Sequence, residues 1–168
     1  HTFLMGYEES YGYLFGDYAR DKDACVASMM IAEAAAYYRS RDMTVYDALM
    51  SVFERYGFSV EKTLNLVMPG LDGAEKMKKM MQGLRSEPPK DIGGVSVLSV
   101  KDYSQGLDGL PKANVLSFAL EEGSTLIVRP SGTEPKVKVY IMTSGKDEAE
   151  AKAKEERLET GFKEKHAN

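Results

Sequence analysis

Three short stretches of this sequence carry side chains suited to chemistry. The richest is "RPSGTEP", residues 129 to 135. Arg129 offers a planar fork of N–H donors that matches the oxygens of a phosphate, and Ser131 and Thr133 add hydroxyls. Gly132 lets the backbone N–H come close to a bound group. Donors that converge in this way form a cradle for a phosphate dianion. Pro130 and Pro135 stiffen the loop, so less entropy is lost when it is ordered. A rigid turn that happens to expose an arginine fits the same composition equally well.

The second stretch is "GYEESYG", residues 6 to 12, which sets Glu8, Glu9 and Ser10 between glycines at the end of an apolar run. Ligands of α/β sheets bind beyond the carboxyl ends of strands, and carboxylates and a serine hydroxyl suit sugar hydroxyl groups. A capped loop is the plainer reading. The third is "RDKD", residues 20 to 23. Lys22 between Asp21 and Asp23 fits either a salt-bridged helix start or a cation aimed at a substrate phosphate or alkoxide.

These residues need elements to position them. Residues 2 to 8 read as a short buried strand, and a loop follows. A helix is expected from about Asp23 to Arg39, apolar over most of its surface and therefore well buried, with Cys25 as a small core residue. Thr44 and Asp47 form a capping-box pattern for a second helix with Val45, Leu49, Val52 and Tyr56 on one face, ended by Gly57. A strand with Val60, Leu64 and Leu66 inward follows, and then a helix carrying Ala74, Met77, Met81 and Leu84. Further strands are expected around 94 to 101, 113 to 121, 124 to 129 and 136 to 143. Ser144 and Asp147 pattern as a cap for a last helix with Ala151, Leu158 and Phe162 on its apolar face. Two domains are expected, 1 to 57 with too little sheet to bury its helices and 58 to 168 as a self-sufficient α+β unit.

Composition narrows the function classes. A length of 168 residues allows one domain or two small ones, and a net charge of −4 gives no general attraction to nucleic acid or an anionic membrane. The single cysteine fits a reducing, cytoplasmic compartment. The chain opens without an initiator Met on the apolar run "TFLMG", which reads as a piece of a longer protein.

Taken in order, "GYEESYG", "RDKD" and "RPSGTEP" resemble the α-D-phosphohexomutase family, the phosphoglucomutases and phosphomannomutases, over nearly the whole chain. The resemblance implies a partial α/β third domain bearing a sugar loop, followed by a fourth domain with a TATA-binding-protein-like antiparallel sheet flanked by two helices. It implies that Glu8 and Ser10 hold sugar hydroxyls and that Lys22 stands near the reacting groups. Arg129, Ser131, Gly132 and Thr133 match the family's phosphate loop. Tyr7 is a departure, since many members place Gly directly before that Glu; the form here looks like the bacterial phosphoglucomutase branch. The family interconverts hexose 1-phosphate and hexose 6-phosphate through hexose 1,6-bisphosphate, using a phosphoserine and Mg²⁺. Neither the T-A-S-H-N-P-like serine loop nor the D-G-D-x-D-R metal loop occurs here, so no metal ligand is expected in this chain. The implied partners are a hexose phosphate and the N-terminal domains of the same polypeptide, with no nucleic acid or membrane. The chain alone is expected to be inactive. A stand-alone phospholigand-binding module is the alternative.

Overall fold

The computed structural model describes residues 2–166. The chain forms two compact units that divide between Arg55 and Tyr56.

In the first unit, β1 (Met5–Tyr7) pairs antiparallel with β2 (Tyr13–Phe15) in a two-stranded hairpin. Helices α1 (Ala24–Arg39) and α2 (Val45–Tyr56) follow. The expected buried strand is thus one arm of an exposed hairpin, and its partner β2 lay in what reads as a loop. A three-residue strand and a Tyr- and Gly-rich connection carry too little alternation to reveal the pairing. The expectation of a well-buried first helix also fails: no residue of α1 is buried, and Cys25 is exposed. The apolar side chains are present, but a two-stranded hairpin cannot cover a four-turn helix. At α2 the capping box forms as expected, with Thr44 Oγ1 accepting from Asp47 N at 3.1 Å and Asp47 Oδ2 accepting from Thr44 N at 2.7 Å.

The second unit is built on a larger sheet. Strands β3 (Phe58–Val67), β4 (Asp91–Ile92), β5 (Val95–Asp102), β6 (Leu116–Leu120), β7 (Thr125–Pro130) and β8 (Lys136–Gly145) form a six-stranded sheet in the order β3-β8-β7-β6-β5-β4. Every neighbouring pair is antiparallel. Alternate residues of β8, Val137, Val139, Ile141 and Thr143, are buried, so one face of the sheet is covered. Helices α3 (Gly73–Ser86) and α4 (Glu148–His166) supply the cover, with Met81, Leu84, Leu158 and Phe162 joining Phe118, Leu126 and Val139 in one core. In α3 the inward position at the start is Gly73 rather than Ala74, which is exposed. The cap of α4 is shifted too. Asp147 Oδ1 accepts from Glu150 N at 2.8 Å and Glu150 Oε2 accepts from Lys146 N at 3.1 Å, so the reciprocal pair is Asp147 and Glu150 while Ser144 stays in β8.

No helix among the described residues is long and apolar enough to cross a membrane.

Candidate functional site

The sugar-loop residues are set out by the hairpin of the first unit. Its register pairs Tyr7 with Tyr13, and Glu8 N–H donates to Gly12 O at 3.0 Å to close the turn. Glu8 therefore follows directly on β1, with Ser10 exposed at the tip of the turn and Tyr11 in the left-handed region at φ +64°. The segment after β2 folds back to the same place. Asp23 N–H donates to Tyr13 O at 2.9 Å, which ties the start of α1 to the hairpin. The Asp23 side chain caps α1 through Cys25 N at 2.8 Å and Val26 N at 3.2 Å, and accepts from the Tyr18 hydroxyl at 2.6 Å. These bonds hold the Asp23 carboxyl below the usual carboxylate range, with Tyr18 the largest cause. The Tyr18 phenol, bonded to the Asp23 carboxylate, is pushed up to about 12.

Lys22 is fixed between these anchors. Its N–H donates to Asp21 Oδ1 at 2.7 Å, and its Nζ lies 3.1 Å from Glu8 Oε1 and 3.7 Å from Asp21 Oδ1. The hydrogen bond to Glu8, then the charges of Glu8 and Asp21, raise the Lys22 ammonium above the ordinary lysine range. Residues fourteen positions apart in sequence thus meet as an exposed ion pair. The pair presents an acceptor and a strong donor side by side, as a polyhydroxylated ligand would require.

The phosphate-loop candidates lie between β7 and β8 in the second unit. Ser131 N–H donates to Lys136 O at 2.8 Å, and Lys136 N–H donates to Glu134 O at 2.8 Å. Met68 N–H donates to Pro135 O at 2.8 Å, so the loop is also held from the end of β3. Ser131 Oγ accepts from Glu134 N at 3.2 Å and from Thr133 N at 3.4 Å. Those two amides are therefore spent inside the turn, whereas the Ser131 hydroxyl keeps its proton to donate. Gly132 and Thr133 are exposed. A Cβ built on Gly132 would meet no atom within 4 Å, and its φ is not positive, so the chain itself has no steric need for glycine there.

Arg129 is exposed and stands directly opposite Lys138 in the β7–β8 register. Lys136 lies two residues before Lys138 on the same face, ion-paired with Glu134. Like charges opposite one another cost stability in a sheet. Sequence reasoning singled out Arg129 and missed Lys138; the signal was the alternating "KVKV" that follows the loop, where both lysines take the uncovered face.

Among the described residues no group of three or more His, Cys, Asp and Glu side chains is placed to hold a metal ion.

A two-unit chain with one α/β piece and one antiparallel sheet backed by two helices has clear relatives. Residues 1–56 match the family model "Phosphoglucomutase/phosphomannomutase, alpha/beta/alpha domain III", and residues 71–159 match "Phosphoglucomutase/phosphomannomutase, C-terminal domain". The chain belongs to the phosphoglucomutase/phosphomannomutase family. It is 35% identical over 151 residues to a phosphoglucomutase of Staphylococcus haemolyticus, covering 83% of this chain and 27% of that one. Against a Staphylococcus epidermidis phosphoglucomutase the identity is 33% over 154 residues, 85% of this chain and 28% of the other. The chain thus spans about a quarter of the length of the curated relatives it matches. A solved structure with the same fold is the open form of the exocytosis-sensitive phosphoprotein pp63/parafusin, a phosphoglucomutase from Paramecium. Its TM-score is 0.60 at 20% identity, over 92% of this chain and 28% of that one.

Proposed function

We propose that this chain supplies the third and fourth domains, residues 1–57 and 58–168, of a phosphoglucomutase or phosphomannomutase that interconverts hexose 1-phosphate and hexose 6-phosphate. Glu8 and Ser10 hold sugar hydroxyls, Lys22 stands near the reacting phosphoryl oxygen, and Arg129, Ser131, Gly132 and Thr133 hold the substrate phosphate. The observation that carries this reading is the concentration of donors at the β7–β8 loop. Arg129 faces Lys138 across the ladder, and a Cβ at Gly132 would meet no atom within 4 Å. An anion bound there would offset the like-charge pairing.

A bisphosphorylated sugar must be held in two orientations during such a reaction. A hydroxyl-reading loop on one unit and a phosphate loop on another suit that task, because the second can release and recapture its group by hinge motion. The phosphoserine and Mg²⁺ of the reaction would belong to other domains of the polypeptide. Hexose 1,6-bisphosphate would be the intermediate. Such an enzyme is expected in the cytoplasm, where Cys25 stays reduced.

Arg129→Ala in the full-length protein tests the reading. Loss of one charge-assisted contact, about 1.5 to 3 kcal/mol, should lower kcat/KM roughly ten- to hundredfold. Unchanged kinetics would remove the phosphate role. The 168-residue chain alone, with Mg²⁺ and glucose 1,6-bisphosphate supplied, should show no turnover.

A further inference from the structure

The contact between Glu8 and Lys22 depends on a residue with no side chain. We infer that Gly12 is a positioning residue: the space left by its missing Cβ is the seat of the Lys22 stem, and this is what lets the ammonium cross the turn to Glu8.

A Cβ on Gly12 would fall 2.2 Å from Lys22 Cδ, 2.9 Å from Lys22 Cγ and 2.8 Å from Glu8 Oε1. These distances are far inside van der Waals contact, and both partners of the ion pair are touched at once. The backbone does not explain the glycine, because Gly12 is absent from the positive-φ positions while Tyr11 and Gly16 occupy them. The three nearest atoms all belong to the two candidate site side chains, Lys22 and Glu8. The Lys22 backbone is restrained on its C-terminal side. The next residue, Asp23, is tied to Tyr13 O and caps α1. The Lys22 stem and the Glu8 carboxylate are then the groups that give way, which draws the ammonium and the carboxylate apart. Gly132 provides the contrast, since a Cβ there meets nothing within 4 Å.

The inference rests on the proposed roles of Glu8 and Lys22 for its catalytic consequence, but its geometry can be tested separately. In the 168-residue chain labelled with ¹³C at lysine ε-carbons, the Lys22 signal is followed through its titration by NMR. Gly12→Ala should bring the Lys22 titration down toward the ordinary lysine range, as Glu8→Gln should by removing the counter-charge. Gly16→Ala is the control. It places a methyl in open space at φ +66°, so it strains the same hairpin and should leave the Lys22 titration where it is.

A double-mutant cycle keeps the question answerable if Gly12→Ala weakens the hairpin. Once Lys22→Ala has removed the stem, Gly12→Ala should shift the urea midpoint less than it does with Lys22 present. A Gly12→Ala chain that retains the raised Lys22 titration, or additive midpoint shifts in the cycle, overturns the inference. In the full-length enzyme Gly12→Ala should lower kcat/KM about ten- to hundredfold, as misplacement of a reacting group by an ångström does. A moved titration with unchanged kinetics supports the placement by Gly12 and counts against the proposed role of Lys22 instead.

Discussion

Helix α1 and helix α4 reverse what their compositions promise. The sequence of α1, "ACVASMMIAEAAAYYR", is apolar on nearly every side, yet none of its residues is buried, and Met29 and Ile31 remain 60% and 58% exposed. The sequence of α4 is dense in Glu and Lys, yet it buries Ala151, Glu155, Leu158, Gly161 and Phe162. The difference lies in the surface each helix meets. Against α4 stands a six-stranded sheet with a continuous apolar face, whereas beside α1 stands a hairpin of two three-residue strands. Burial is a property of a pair of surfaces, and hydropathy reports only one of them. Between α1 and its hairpin this leaves an open groove of about 620 Å³ lined by residues such as Met5, Tyr13, Phe15, Met30 and Ile31.

The largest effect expected from this contrast is on core truncation. Phe162→Ala should cost about 3–5 kcal/mol in the second unit, because it empties a fully enclosed site. Ile31→Ala should stay within about 0.5 kcal/mol in the first, as an exposed substitution. Amide hydrogen exchange, which reads the stability of each unit separately, decides between this and equal costs.

A smaller effect is expected at the charged side of α4. Glu155 is buried at 3% exposure, and its carboxylate lies 3.3 Å from Lys62 Nζ of β3, outside hydrogen-bonding geometry. Lys62 also bonds Glu159, which is shared with Lys163 at 2.6 Å. Lys62→Met should lower the urea midpoint by leaving the buried Glu155 carboxylate without its cation, and adding Glu155→Leu should restore much of it. The same cluster gives a pH dependence. Hydrogen bonds from Lys163 and then Lys62 hold the Glu159 carboxyl below its ordinary 4.5, so its contribution is complete above 4.5 and is lost as pH falls through the lowered value. The bond to Glu159 raises Lys62 above 10.5, so its contribution is complete below 10.5 and is lost as pH rises through the raised value. Midpoints measured across pH should therefore show a plateau between these limits, and Lys62→Met should weaken the alkaline edge, to which Lys22, Lys101 and Tyr18 also contribute.

The smallest effect is expected at α2, where Thr44→Ala removes one half of the capping box. A loss of about 0.5 to 2 kcal/mol, read by hydrogen exchange within the first unit, is expected, with no change in the second. A change transmitted to the second unit would show that the two do not unfold independently.

Much of the second unit was legible because its elements are long and regularly patterned. The inward positions Leu64 and Leu66 of β3, the strands on either side of "RPSGTEP", and Ala151, Leu158 and Phe162 of α4 follow from periodicity of two and of 3.6 residues. The first unit was read less well. Its strands are too short to show a period, so the sequence reads β2 as loop, and the apolar composition of α1 reads as buried. The site divided along the same line. Residues near one another in sequence, Arg129 to Thr133, could be grouped by composition, whereas Lys138 required the ladder register to place it opposite Arg129.

The sequence by itself determined the kinds of donor and acceptor present, the loop and helix-start segments that carry them, and the family to which the chain belongs. Only the tertiary structure decided that Lys22 reaches Glu8, that Gly12 makes room for it, and that the Thr133 and Glu134 amides turn inward on Ser131. Composition and spacing act along the chain, but an ion pair 3.1 Å long and the room that a glycine leaves for a neighbouring stem depend on where the folded backbone brings distant segments together.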